Sequence, residues 1–128
     1  MPNATPEEIE SFLARCRKII DSSFVLYKKK TENKQTLIEL GYTYKNVKEE
    51  IRNLSVENYS EGPSPDHHSS DAIWEFGMLI NQREIYIKLQ LSLYNNPGDL
   101  IDTLYCMSFH FADRYLNYPY KKNQEKRK

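Results

Sequence analysis

The rhythm of hydrophobic and polar positions changes along this chain, from a repeat of three to four residues to a repeat of two. In the first part, Ile9, Phe12, Leu13, Cys16, Ile19 and Ile20 recur at helical spacing and predict a helix over residues 5–20. Thr5 can cap it, Pro6 suits its first turn, and Glu8 completes a capping box. Phe24-Val25-Leu26-Tyr27 reads as a short strand. A second helix is predicted over about residues 32–40, with Gly41 as the residue that ends it. A third follows Thr43, with Val47, Ile51 and Leu54 as its buried stripe.

Residues 60–71 contain two prolines and several small polar residues without periodicity, and this composition predicts a loop. Beyond it, alternation predicts strands at about 72–80, 84–93 and 103–111. Asn81-Gln82-Arg83 supplies a tight hairpin connection, and Asn95-Asn96-Pro97-Gly98-Asp99 breaks the chain before the last strand. From Lys121 onward a basic tail offers nothing to a core, so a single domain is expected over 1–120 and a frayed end over 121–128. Helices followed by an antiparallel meander make an α+β domain, with the N-terminal helices packed on one face of a mainly antiparallel sheet that the early strand can join.

Alternation also assigns faces. Ile85, Ile87, Leu89, Leu91 and Leu93 point to the helices, leaving Glu84, Tyr86, Lys88, Gln90 and Ser92 on the other side. Trp74, Phe76, Met78 and Ile80 are the bulkier set of the first strand, opposite Ile73, Glu75, Gly77 and Leu79. Tyr105, Met107, Phe109 and Phe111 are taken as the inward set of the last strand, opposite Leu104, Cys106, Ser108 and His110. Glu75, Tyr86, Lys88 and His110 then share one surface.

A carboxylate, a phenol, an ammonium and an imidazole form a kit for cleaving RNA without a metal. Glu75 would take the proton of a 2′-hydroxyl, Lys88 would clamp the phosphate, and His110 would protonate the departing oxygen, with the acid and base roles exchangeable. Tyr86 would stack on a base or hydrogen-bond the phosphate. The same four residues also fit an ordinary solvated sheet face, where Glu–Lys cross-strand pairs are common.

Charge narrows the picture further. Eighteen basic residues balance eighteen acidic ones, so no global field draws in nucleic acid. Lys28, Lys29, Lys30 and Lys34 form a local basic group able to contact RNA phosphates, or simply a solvated run. Asp66, His67, His68 and Asp71 are a poor metal set, because adjacent histidines rarely converge on one ion. Cys16 and Cys106 match no metal or redox spacing and are expected to be buried thiols of a cytoplasmic protein. No stretch has the length and apolarity of a membrane span or a secretory leader. Nor is there a nucleophile elbow, a zinc-protease helix or a glycine-rich phosphate loop.

Read in order, Asn33–Gly41, Val47–Leu54, Tyr59, Gly62-Pro63, Ile73-Trp74-Glu75-Phe76-Gly77, Glu84–Leu89 and Ser108-Phe109-His110 resemble the MqsR family of type II toxins over about residues 5–120. The resemblance implies a RelE-like fold and an endoribonuclease that cleaves mRNA and arrests growth, with no cofactor. It also implies a neutralising antitoxin, in that family often a zinc-binding, helix-turn-helix DNA binder, and it leaves a role for the ribosome open. The family's active-site tyrosine falls on Tyr86. Glu75 stands where the best-known member has a glutamine, His110 where it has a lysine, and Ser60 or Glu61 where it has a further lysine. These departures bring the site closer to a conventional acid–base pair. Two other readings compete with an enzyme: a binding module that sits on RNA or the ribosome through its lysines and tyrosines, and a structural partner using the aromatic segment Tyr115–Tyr120.

Overall fold

The computed structural model describes residues 3–27, 31–92 and 101–121. Three helices, α1 (Pro6–Ile19), α2 (Thr31–Leu40) and α3 (Tyr44–Arg52), accompany five strands, β1 (Phe24–Leu26), β2 (Tyr59–Asp66), β3 (Ser69–Ile80), β4 (Arg83–Ser92) and β5 (Thr103–Phe111). The strands form one mixed sheet in the order β1-β5-β4-β3-β2. Only the β1–β5 pair is parallel. The fold is α+β. No helix among the described residues is long and apolar enough to cross a membrane.

The helix starts follow their caps. The Thr5 hydroxyl accepts the Glu8 N–H at 3.1 Å, and the Glu8 carboxylate accepts the Thr5 N–H at 2.8 Å. The face of α1 that carries Ile9, Phe12, Leu13 and Cys16 is buried, and Phe12 stacks on Trp74 with ring centroids 4.4 Å apart. Val47 and Ile51 of α3 join the same core, which takes Phe76, Ile85, Ile87 and Leu89 from the sheet. Each such side chain contributes about 1.5–3 kcal/mol by leaving water. Cys16 and Cys106 are buried cysteines, and burial pushes the Cys16 thiol up to about 12, so it stays protonated and unreactive.

The structure corrects the sequence reading in two places. Residues 60–71 are not a loop: they supply most of β2, the turn after it and the start of β3. Pro63 and Pro65 lack an N–H and mislead a composition argument, but β2 is an edge strand paired only with β3, where prolines are tolerated. Its register with β3 shifts at three points along its length. Gly62 sits at φ +116°, and a Cβ there would lie 2.7 Å from the Ile73 carbonyl oxygen, so a side chain would force the edge strand away from β3.

The second correction concerns β5. Lys88 pairs with Ser108 but Leu89 pairs with Cys106, so Met107 is an extra residue, a β-bulge. The bulge reverses the alternation. Leu104 and Cys106 face the core before it and Phe109 after it, while Tyr105 belongs to the far side rather than the core set. Buried Asn33 of α2 holds this irregular edge. Its amide donates to the carbonyls of Tyr27 at 2.9 Å and Met107 at 3.2 Å, and its carbonyl accepts the Phe109 N–H at 2.9 Å. Thr36 accepts the Phe111 N–H at 3.1 Å. Two helix side chains therefore close the part of the β5 edge that short β1 leaves uncovered.

The β3–β4 hairpin turns through Asn81 and Gln82, at φ 52° and 66°. Positive φ at both central residues is the geometry that matches strand twist in a two-residue loop. The predicted break at Asn95–Asp99, the inward Leu93 and the tail beyond Lys121 lie outside the described residues.

Candidate active site

The face of the sheet turned away from α1 and α3 carries the polar residues of β3, β4 and β5. In register, Glu75 lies opposite Lys88, Tyr86 opposite His110, and Lys88 opposite Ser108. Directly opposed residues have their Cβ atoms about 4.5–5.5 Å apart. The expected group of Glu75, Tyr86, Lys88 and His110 is thus brought together across three adjacent strands. The bulge at Met107 makes this possible while Leu104 and Cys106 stay in the core.

Each member has a definite setting. The rings of Tyr86 and His110 lie 5.4 Å apart, inclined at 46°. His110 Nδ1 is 3.0 Å from the Phe111 carbonyl oxygen. A carbonyl only accepts, so Nδ1 carries the proton and Nε2 is the nitrogen left for chemistry. The Glu75 side chain is 16% exposed, and its Oε1 is buried with no hydrogen-bond partner. Burial, then the negative charge of Glu75, hold the Tyr86 phenol protonated well above its ordinary range. Lys88 is half-buried and makes no ion pair or hydrogen bond among the described residues.

Sequence reasoning missed Arg114. Its guanidinium lies 3.5 Å from Glu75 Oε1 and 5.4 Å from the centre of the Tyr86 ring. It stands on a C-terminal strap, residues 112–121, that crosses the far face. Leu116 and Tyr118 cover Gly77, Tyr118 donates to the Glu84 carboxylate at 2.6 Å, and Tyr120 donates to the Ala4 carbonyl at 2.6 Å. The aromatic run that suggested a partner surface is therefore largely occupied within the chain, with Tyr115 left 97% exposed. The signal available in the sequence was the absence of a side chain at Gly77 in an otherwise bulky strand. Glu61, read from the sequence only as a place where the family's lysine is missing, also borders the group. It lies opposite Glu75 and adds to the negative charge near Tyr86.

The strap rests on Gly77 closely enough to test. A Cβ there would sit 2.3 Å from the Tyr118 hydroxyl and 2.6 Å from Leu116 Cδ1. Gly77→Val is expected to lift the strap, costing about 1–3 kcal/mol as overpacking does. Trypsin should then cut after Arg114 faster than in the parent, beside a lowered melting temperature. Unchanged proteolysis at Arg114 would mean that Gly77 does not seat the strap.

The remaining candidates do not join the group. Lys28, Lys29 and Lys30 lie outside the described residues. Lys34 is exposed on α2, in a groove with Tyr27, Leu37 and Ile38, with no contact to the far-face group among the described residues. The Asp66 carboxylate closes the β2–β3 turn, accepting the His68 N–H at 3.1 Å and the Gln90 amide at 2.8 Å. No family model, no curated protein and no solved structure matches the chain.

Proposed function

We propose that this protein is a metal-independent endoribonuclease that cleaves mRNA, a type II toxin with a RelE-like variant of the α+β fold. The observation that carries the reading is the convergence of Glu75, Tyr86, Lys88, His110 and Arg114 on one sheet face. The three sequence pieces that most resemble the MqsR family, Trp74-Glu75, Tyr86-x-Lys88 and Ser108-Phe109-His110, supply four of these five residues from adjacent strands. A cytoplasmic setting, a neutralising antitoxin that binds DNA and zinc, and action on free or ribosome-bound mRNA belong to the same proposal.

The chemistry divides as follows. Glu75, beside Arg114, takes the proton of a 2′-hydroxyl, and the oxygen attacks the adjacent phosphorus. The P–O5′ bond breaks as His110 Nε2, protonated, gives its proton to O5′. Products are a 2′,3′-cyclic phosphate and a 5′-hydroxyl. Lys88 and Arg114 stabilise the charge that builds on the phosphoryl oxygens, as preorganised cations in a partly dry site do most effectively. Tyr86 stays a phenol and donates to the same oxygens. The test is incubation of the purified protein with a long mRNA in EDTA, followed by the same assay on translating ribosomes. Discrete cuts in either support the reading, and intact RNA in both overturns it.

Because Tyr86 is held protonated, it acts as a donor and never as the base. Tyr86→Phe is expected to lower the cleavage rate by about 10- to 100-fold, the worth of one hydrogen bond to a charged group. The pH–rate profile should keep its shape up to about pH 10, near the phenol's ordinary pKa. The sign for stability follows from the raised pKa. The folded phenol stays neutral where the unfolded one ionises, so this contribution is full below pH 10 and is lost as pH rises above it. A profile whose alkaline limb disappears in Tyr86→Phe would assign the base role to Tyr86 instead.

A further inference from the structure

The far face continues past Lys88 toward β1, and its character changes there. Phe24 and Leu26 of β1 are buried in the core, so Val25 and Tyr27 face the other way. The Tyr27 N–H donates to the Cys106 carbonyl at 3.0 Å, which keeps that residue alongside β5. Tyr105, placed on the far side by the bulge, lies opposite Val25 on one strand and Gln90 on the other. The rings of Tyr27 and Tyr105 meet edge to face, 6.1 Å apart at 74°. Both are partly exposed, and neither hydroxyl has a hydrogen-bond partner among the described residues. The pair forms a partly exposed aromatic corner.

The corner lies in line with the catalytic group. Gln90 is two residues from Lys88 and four from Tyr86 on the same face of β4. At about 3.3 Å per residue, Lys88 is midway along a path of about 13 Å from the Tyr86–His110 pair to the corner. Charges of both signs lie near the corner, and Lys34 of α2 lines a groove with Tyr27. The carboxylate that acts on Tyr27 is Asp66, fixed by Gln90 and by the His68 N–H. A phosphate beside Asp66 would be repelled, whereas an uncharged planar ring would not. Stacking on an aromatic side chain is sequence-tolerant and worth about 1–3 kcal/mol per base.

We propose that Tyr27 and Tyr105 form a stacking subsite for one nucleobase of a single-stranded RNA whose neighbouring phosphate lies at Lys88. The proposal rests on the ribonuclease reading and adds to it a substrate that must be unpaired near the cut.

The test uses a fluorescently labelled 2′-O-methyl oligoribonucleotide, which cannot be cleaved by 2′-hydroxyl attack. Tyr105→Ala should weaken its binding about 5- to 150-fold, the stacking energy converted to an affinity ratio. Tyr105→Phe should stay within about twofold, because it keeps the ring. In a series of oligomers abasic at one position each, one position should weaken binding to the parent and cost nothing more in Tyr105→Ala. Photocrosslinking of the unmutated protein to the same RNA covers the case in which Tyr105→Ala fails to fold, and the crosslinked peptides should contain Tyr27 or Tyr105. Equal affinities of parent and Tyr105→Ala, an abasic loss that persists in the variant, or crosslinks confined to other segments overturn the subsite while leaving the ribonuclease reading intact. A parent that neither binds nor cleaves RNA, free or on ribosomes, overturns both.

Discussion

Replacing His110 with alanine is expected to slow RNA cleavage by about two to four orders of magnitude, the range that a positioned acid or base contributes. The melting temperature should move little. His110 is partly exposed, its Nδ1 proton bonds its own strand at the Phe111 carbonyl, and its ring only leans on Tyr86. Imidazole supplied in solution is small enough to enter the space left by the ring and should restore part of the rate. A fully active His110→Ala protein with an unchanged melt would remove the histidine from the mechanism and pass the acid role to another group on this face.

The largest stability effect is expected at Asn33, a residue with no chemistry of its own. Asn33 is 1% exposed, and its amide makes three hydrogen bonds to the backbone of Tyr27, Met107 and Phe109. Asn33→Ala leaves the Phe109 N–H without an acceptor and two carbonyls without a donor. An orphaned buried group costs about 1–3 kcal/mol, so a loss on the order of 3 kcal/mol is expected overall. In a domain worth about 5–15 kcal/mol that is a large share. Urea or thermal unfolding measures it. The variant should also lose activity at temperatures where it is still folded, because the bulge at Met107 is what puts His110 and Ser108 on the face of Tyr86 and Lys88. A melting temperature within a degree or two of the parent would show that the bulge does not depend on Asn33.

Much of this was legible from residue order. The caps at Thr5 and Thr43, the stripes of α1 and α3, and the alternation through β3 and β4 are local patterns, and local patterns are what periodicity reports. That Glu75, Tyr86 and Lys88 share a face followed from alternation; the turn is one residue shorter than the Asn81–Arg83 connection read from the sequence, because Arg83 already pairs with Ile80. What escaped was decided by partners that periodicity and local composition do not report. β2 exists despite Pro63 and Pro65 because β3 offers it one bonded side and solvent takes the other. Tyr105 left the core because one extra residue in β5 shifted the phase, and the side chain that holds this irregularity, Asn33, comes from a helix 74 positions before Met107, donating to the Met107 carbonyl and accepting the Phe109 N–H. Arg114 reached the site on a strap whose path is set by the missing side chain of Gly77. No short window of the sequence holds both ends of the Asn33 and Gly77 contacts.

The central claim is the chemistry of the cut, and the ends of the fragments report it most directly. Long mRNA would be treated with the protein in EDTA, naked and on translating ribosomes, and the fragment termini identified. The account predicts 2′,3′-cyclic phosphates upstream and 5′-hydroxyls downstream, with the cuts abolished by His110→Ala. Fragments ending in 3′-hydroxyls and 5′-phosphates, or RNA left whole in both settings, would contradict it.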